Sequence, residues 1–267
     1  MQRCTKDSMR KTFDHDGFVI SPPLVEPDLI GRARQHIRML MSGVYETGVD
    51  PGYPRAPAQI VKDEPRALYR LYQAHLADNT IRELVTHPAV ARCAAALCDT
   101  DWVQLWGTTF LYKPSGVAEQ GNIGWHQDAH YFTNIWTADS EVFFCSLALS
   151  DIEADSGPVL MIRGSHRWGY LGQGDFYGQD MKQVRGGIGV PPDAAWEEVP
   201  ATMPAGAVSI HDKNTFHGSM GNRSGKPRLS ILLELRTRNS APISGSDSYY
   251  VKHLDDPVVS PVIYPRP

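Results

Sequence analysis

The chain has 267 residues, 42% of them apolar and 21% charged, with a formal net charge of −4. That length suits one large domain or two small ones and buries enough surface to need no disulfide staples. Mild acidity without a Lys/Arg stripe argues against a nucleic-acid or membrane-surface partner, and no apolar run approaches the roughly 18 residues that span a bilayer.

In chain order, residues 27–44 (PDLIGRARQHIRMLMSGV) place apolar side chains at helical spacing between Pro27 and Gly43 and predict a helix. Residues 46–64 are rich in Pro, Gly and Asp and read as loop, and two further helical segments are expected over 65–86 and 88–99. From Trp102 the character changes. WVQLWGTTFLYKP is aromatic and β-branched and reads as a strand, as do VFFCSLALS (142–150), PVLMIR (158–163), AVSIHD (207–212) and RLSILLELR (228–236). Short strands separated by turn signals predict a mainly β sandwich or barrel. The expected organisation is a single domain over 1–267, with a mostly helical support layer over 1–100 and a barrel core over 101–240. Segment 165–206 carries eight of the 23 glycines and reads as a long, lid-like loop. The N-terminal MQRCTKDSMRKTFDHDG has no apolar core of the secretory type. Cys4, Cys93, Cys98 and Cys145 lack zinc or disulfide spacing and read as small buried hydrophobes in a reducing cytoplasm.

The chemistry concentrates in Trp125-His126-Gln127-Asp128 and, far downstream, in His217 and Arg228-Leu229-Ser230. In a strand, residues i and i+2 share a face, so His126 and Asp128 project together and Gln127 points away. Two imidazoles and one carboxylate, with His217 as the third donor, are the residue types that hold non-haem Fe(II) and leave positions open. An H-x-D alone is a weak signal; what strengthens it is the second half. The turn NRSGKP between His217 and Arg228 suggests paired antiparallel strands in which His217 faces residue 232. Arg228 and Ser230 then share that face, with Arg228 ~13 Å along the strand, a span suited to a five-carbon dicarboxylate held between metal and guanidinium.

These segments resemble the phytanoyl-CoA dioxygenase family. WHQDAHYF (125–132) is similar to its H-x-D segment, and SGPVLMIRGSHRWG (156–169) to its G-x-L-x-x-x-P-G-S-H-x-x-G stretch, with Val159 and Arg163 replacing the usual leucine and proline. HGSMGNRSGKPRLS (217–230) resembles its distal histidine and following arginine, and FDHDGFVI (13–20) its opening. The resemblance implies a double-stranded β-helix (a cupin-like jelly roll). It implies His126, Asp128 and His217 as ligands of Fe(II), and Arg228 assisted by Ser230 as the anchor of 2-oxoglutarate. The implied reaction consumes O2, releases succinate and CO2, and oxidises a small molecule, most commonly by hydroxylation. A carboxylate at Asp128 rather than a small residue argues against halogenation. Further co-substrate contacts are implied from Arg70 and Gln73 and from Thr108 or Thr109, although Gly107 departs from relatives with a polar side chain there.

Other residues carry weaker readings. His130 shares strand parity with His126 and either lines the pocket or is a satisfied core histidine. Trp106, Tyr131, Asn134 and Trp136 read mostly as core, His166 and Arg167 as loop structure, and His211 as a poorer third ligand than His217. The competing function class is a non-oxidative cupin-like metal enzyme or metabolite-binding protein on the same barrel; a dicarboxylate clamp has no use there. A monomer or homodimer is expected.

Overall fold

The computed structural model describes residues 6–51, 68–116 and 121–265. The expectations for Cys4, for loop residues 52–64 and for helical residues 65–67 lie outside the described residues.

Helix α1 (Lys6–Asp16) leads into β1 (Phe18–Ile20), and α2 spans Pro27–Met41. Helix α2 forms where the periodicity places it. Pro27 occupies the first turn, where its missing N–H costs nothing, and Leu29, Ile30, Ala33, Ile37 and Leu40 make one buried stripe. The helix expected over 65–86 is corrected. Residues Tyr69–Tyr72 form strand β2, and only then follow the short helix α3 (Ala74–Ala77) and α4 (Asn79–Val85). YRLY pairs antiparallel with β3 (Val103–Lys113), from Tyr69 opposite Tyr112 to Tyr72 opposite Thr109, and this ladder overrides local helical preference. Helix α5 (Pro88–Leu97) again starts on a proline.

Strand β3 (Val103–Lys113) opens the barrel, followed by β4 (Ile123–His126), β5 (Val142–Ala148) and β6 (Val159–Ile162). Helix α6 (Met181–Gly186) and β7 (Glu198–Pro200) lie within the long 165–206 segment, so that segment is not structureless. Then come β8 (Val208–Asp212), β9 (His217–Ser219), β10 (Arg228–Arg236), α7 (Tyr249–Lys252) and β11 (Val262–Tyr264).

The strands form two antiparallel sheets. The larger runs β1-β8-β5-β10-β3-β11, with β2 also on β3; the smaller runs β4-β9-β6-β7. Alternation along β10 sorts its two faces. Leu229, Ile231, Leu233 and Leu235 pack with Phe143, Cys145, Leu147 and the helices in the main core. Arg228, Ser230, Leu232 and Glu234 occupy the other face of the strand.

Here the structure corrects the expected hairpin. β9 pairs with β4 and β6, whereas β10 pairs with β3 and β5, so His217 and Arg228 stand on different sheets. NRSGKP is a crossover instead. Asn222 holds it by donating to Lys113 O and Lys226 O and accepting from Ser224 N. The two residues meet because both line one cavity.

Candidate metal centre and active site

His126 ends β4, and the backbone turns into a 3-10 helix at Asp128 (Asp128–Phe132), so the H-x-D segment is strand only at its first residue. Gln127 stays extended and points away, as expected, with its amide donating to Gly169 O and Asn214 O. His217 lies directly opposite His126 in the β4–β9 ladder. His126, Asp128 and His217 are all buried, and a donor atom from each lies within 4.8 Å of the others.

The hydrogen bonds define what that cluster accepts. Nδ1 of His126 is 2.8 Å from Gly124 O, and Nδ1 of His217 is 3.0 Å from Thr215 O. A carbonyl oxygen only accepts, so each Nδ1 carries the proton and, in the neutral ring, Nε2 presents a lone pair. Both Nε2 atoms face the same oxygen, Asp128 Oδ1, at 3.3 and 3.6 Å. Three lone-pair donors thus converge, an arrangement a cation satisfies. The electrostatics agree. Burial works to raise the Asp128 carboxyl, but the imidazoles of His217, His126 and His211 packed around it hold it well below its usual range. Burial first, then the neighbouring His126, lowers His217 to about 3, so it stays a neutral ligand.

His211, a poorer third ligand than His217 by sequence, has a different place in the structure. It donates from Nε2 to Asp128 Oδ2 at 2.9 Å and stacks on Phe144. It therefore orients the carboxylate, a role typical of the partners behind metal ligands.

A cavity of about 80 Å³ runs from this cluster to Arg228 and Ser230, past Ser146 and Leu232. Arg228 is buried, and one of its terminal nitrogens donates to Gly157 O while Nε has no partner; Ser230 Oγ has none either. Burial lowers the Arg228 guanidinium only to about 10, so it remains charged at neutral pH. A buried cation and hydroxyl with free donors suit the distal carboxylate of a dicarboxylic acid. Lys113, not singled out in sequence, is paired with Arg228 across β3–β10 and is itself buried, donating to Ser219 Oγ and Met220 O. Burial first, then the neighbouring Arg228, pushes its amine well below the ordinary value, so it serves that end as a hydrogen-bond donor.

Other expected contacts are corrected. Thr108 is opposite Leu233, on the face toward the helices, and its hydroxyl bonds Nδ1 of His75. Gln73 sits behind it, accepting from Thr108 N, and lines neither cavity described here. Thr109 is the threonine that reaches the site, and Arg70 lies at the rim with its guanidinium over Phe176, 4.8 Å from the ring centroid. His130 is exposed and bonds Tyr170. It departs from strand parity because the 3-10 turn intervenes.

The long segment closes over the three-donor cluster. Asp175 N donates to Trp125 O and Gly124 N to Phe176 O, and the Phe176 ring lies 4.9 Å from that of His126. The approach needs a glycine at 124, since a Cβ there would stand 2.0 Å from Asp175 O. A second cavity, of about 210 Å³, adjoins the first and shares Leu111, Asp128, Phe176 and Leu232 with it. A cleft of about 380 Å³ beside Arg163 and Arg167 contains none of these residues.

The profile of the phytanoyl-CoA dioxygenase family matches residues 13–230, most of the chain and every residue of this cluster. The chain belongs to the phytanoyl-CoA dioxygenase family. It is a non-haem iron, 2-oxoglutarate-dependent dioxygenase that uses O2 and acts on a small molecule. Among characterised relatives, this dioxygenase is 24% identical over 236 residues to the ectoine dioxygenase of Bordetella bronchiseptica, covering 84% of this chain and 72% of that one. It is 25% identical over 241 residues to the ectoine dioxygenase of Nocardia farcinica, covering 83% and 74%. In fold it is similar to the 2-oxoglutarate-dependent carbocyclase SnoK of nogalamycin biosynthesis, with a TM-score of 0.67 and 17% identity over 92% of this chain and 89% of that one. It is likewise similar to EctD from S. alaskensis with 2-oxoglutarate and 5-hydroxyectoine, with a TM-score of 0.64 and 20% identity over 85% and 74%. These neighbours share the jelly roll with its helical layer.

Proposed function

We propose that His126, Asp128 and His217 hold the ferrous iron of this dioxygenase and that Arg228, with Ser230, holds the distal carboxylate of 2-oxoglutarate. The observation that carries this reading is the pair of Nε2 lone pairs aimed at one carboxylate oxygen, one cavity away from a buried guanidinium with an unpartnered Nε. Ferrous iron with 2-oxoglutarate and O2 supplies the oxidising power, with succinate and CO2 as by-products. The chain's residues do the rest. Gly124 O and Thr215 O fix the tautomers of the two histidines, and His211 fixes the carboxylate. Phe176 and the segment around it cover the centre and exclude water. The adjoining cavity, walled by aromatic rings and Leu232, takes the substrate beside Asp128, and the expected outcome is hydroxylation.

We also propose that the helical layer and barrel act as one catalytic domain, working in the cytoplasm as a monomer or homodimer. The unbridged thiols of Cys98 and Cys145 support a reducing compartment, and among the described residues no helix is long and apolar enough to cross a membrane.

The test is binding of Fe(II) and 2-oxoglutarate followed without oxygen, and succinate release once oxygen is admitted. One equivalent of iron bound by the wild type and none by His126→Ala is the expected result. Wild-type protein that binds neither iron nor 2-oxoglutarate would end the proposal.

A further inference from the structure

On β10 the side chains facing the site come at every second residue: Arg228, Ser230, Leu232 and Glu234. The reading above, on which this inference rests, uses the first two and leaves Glu234 idle. Glu234 is 5% exposed, yet its Oε2 has no hydrogen-bond partner, and the nearest donor to Oε1 is the Thr109 hydroxyl at 3.4 Å. Among the described residues no Lys, Arg or His forms an ion pair with it. An unpaired buried carboxyl is a standing cost to the fold unless something else uses it.

The surroundings are shaped for that carboxyl. Gly107 is its partner across the β3–β10 ladder, and a Cβ at 107 would stand 2.0 Å from Glu234 Oε2. The glycine that departs from relatives therefore has a local reason: it makes room for this side chain. Beside it Trp106 is a bulged residue, because Leu235 pairs with Leu105 while Glu234 pairs with Gly107. Glu234 lines the 210 Å³ cavity with Tyr72, Thr109, Phe144 and Tyr250, and the same cavity reaches Asp128. Aromatic walls around one carboxyl favour a cation, through ring faces as well as through charge. Arg70, a cation on that cavity, does not neutralise it. Arg70 pairs with Leu111, four residues along β3 from Gly107 or ~13 Å, and its guanidinium lies on Phe176 and Tyr177.

We propose that Glu234 binds a cationic nitrogen of the substrate, so that this dioxygenase oxidises a small molecule carrying a protonated amine or amidinium. Strand β10 then acts as a ruler, with the co-substrate carboxylate read at Arg228 and the substrate cation read six residues away at Glu234, on the far side of Asp128. Burial, reinforced by the Asp128 charge, holds the Glu234 carboxyl up at about 8. A cation in contact favours the ionised form and lowers it again.

The experiment titrates the enzyme, loaded with Fe(II) and 2-oxoglutarate under nitrogen, with benzamidine and benzylamine and with their neutral counterparts benzamide and benzyl alcohol, by calorimetry. The wild type should prefer the cations by about tenfold or more. Glu234→Gln, close to isosteric, should keep the fold and lose the preference. Gly107→Ala, which displaces the carboxyl, should lose it too and carries the test if Glu234→Gln does not fold. Neutral compounds binding as tightly as the cations, no binding of either kind, or a preference that survives in both variants overturns the proposal. Succinate release measured on the same preparations reports separately on the iron and 2-oxoglutarate reading, which can stand while the role of Glu234 falls.

Discussion

His211 donates its Nε2 proton to Asp128 Oδ2 at 2.9 Å, which turns the other oxygen, Oδ1, toward the two ligand histidines. A carboxylate with one oxygen held by an imidazole N–H is oriented before any metal arrives. His211 therefore acts through Asp128 and is a positioning residue. His211→Ala is expected to weaken iron binding by roughly 10–100-fold while leaving some turnover at saturating iron. His211→Gln, which retains a donor, should recover part of the affinity. Iron titration under nitrogen reads both, and wild-type affinity in His211→Ala would remove the role.

The ligands themselves behave differently. His126→Ala or His217→Ala takes away a donor from a buried three-donor cluster, so added iron should fail to bind and turnover should vanish at any iron concentration. Iron content after desalting, beside succinate formation, distinguishes this from the partial loss at His211.

Arg228→Ala is expected to raise the 2-oxoglutarate requirement by roughly 30-fold or more, since truncating one side of a buried charge pair costs about 2–5 kcal/mol. Iron binding should persist. The variant also gives up the bond to Gly157 O, so its melting temperature should fall by a few degrees, and iron titration is read on folded protein below that transition. A steady-state titration with 2-oxoglutarate decides it; an unaltered KM assigns the anchor elsewhere.

Gly124→Val should detach the covering segment. Any Cβ at 124 collides with Asp175 O, so the contacts between Asp175, Phe176 and β4 cannot persist. The expected signature is faster proteolytic cleavage within 169–180 and more succinate released per substrate oxidised, because the centre is less well shielded from water. Unchanged coupling and cleavage would mean that the segment is held by other contacts.

His75 gives the protein an acid weakness. It is buried between Thr108 Oγ1 and Val259 O, and burial lowers its imidazole from 6.5 to about 4. The unfolded chain takes up a proton near 6.5 that the folded one refuses until about 4. Stability is therefore complete above the unfolded value and is lost as pH falls toward 4, by up to about 1.4 kcal/mol per pH unit from this residue. Denaturant unfolding of wild type and His75→Gln between pH 7 and pH 4.5 checks the sign: the variant should show the shallower slope, whatever its absolute stability.

Much of the site is legible because its residues obey local rules. The Arg-x-Ser pair is spaced by backbone parity along β10, and the H-x-D segment and the distal histidine stand out by residue type, which a sequence displays directly. Glu234 was visible in the same way, as a charge at Arg228 parity inside the apolar run LSILLELR. His211 and Lys113 were harder, because their partners lie on other elements, Asp128 on a 3-10 helix and Arg228 on β10. Thr108 and Thr109 show the limit of local reading, since adjacent residues on a strand face opposite ways and only the register with β10 says which faces the site.

What the sequence alone determined is the reaction class and the fold: the family of iron and 2-oxoglutarate-dependent dioxygenases, and apolar alternation strong enough to specify a β barrel with a helical layer. What only the tertiary structure decided is which strands carry them together. β9 and β10 were expected to pair and instead belong to opposite sheets, and YRLY was expected to be helical and instead completes a sheet edge. Side-chain periodicity is a property of a few consecutive residues, whereas strand pairing is chosen by the burial of whole faces. The larger sheet must turn one side of β10 to the helices and the other to the cavity shared with His126, Asp128 and His217.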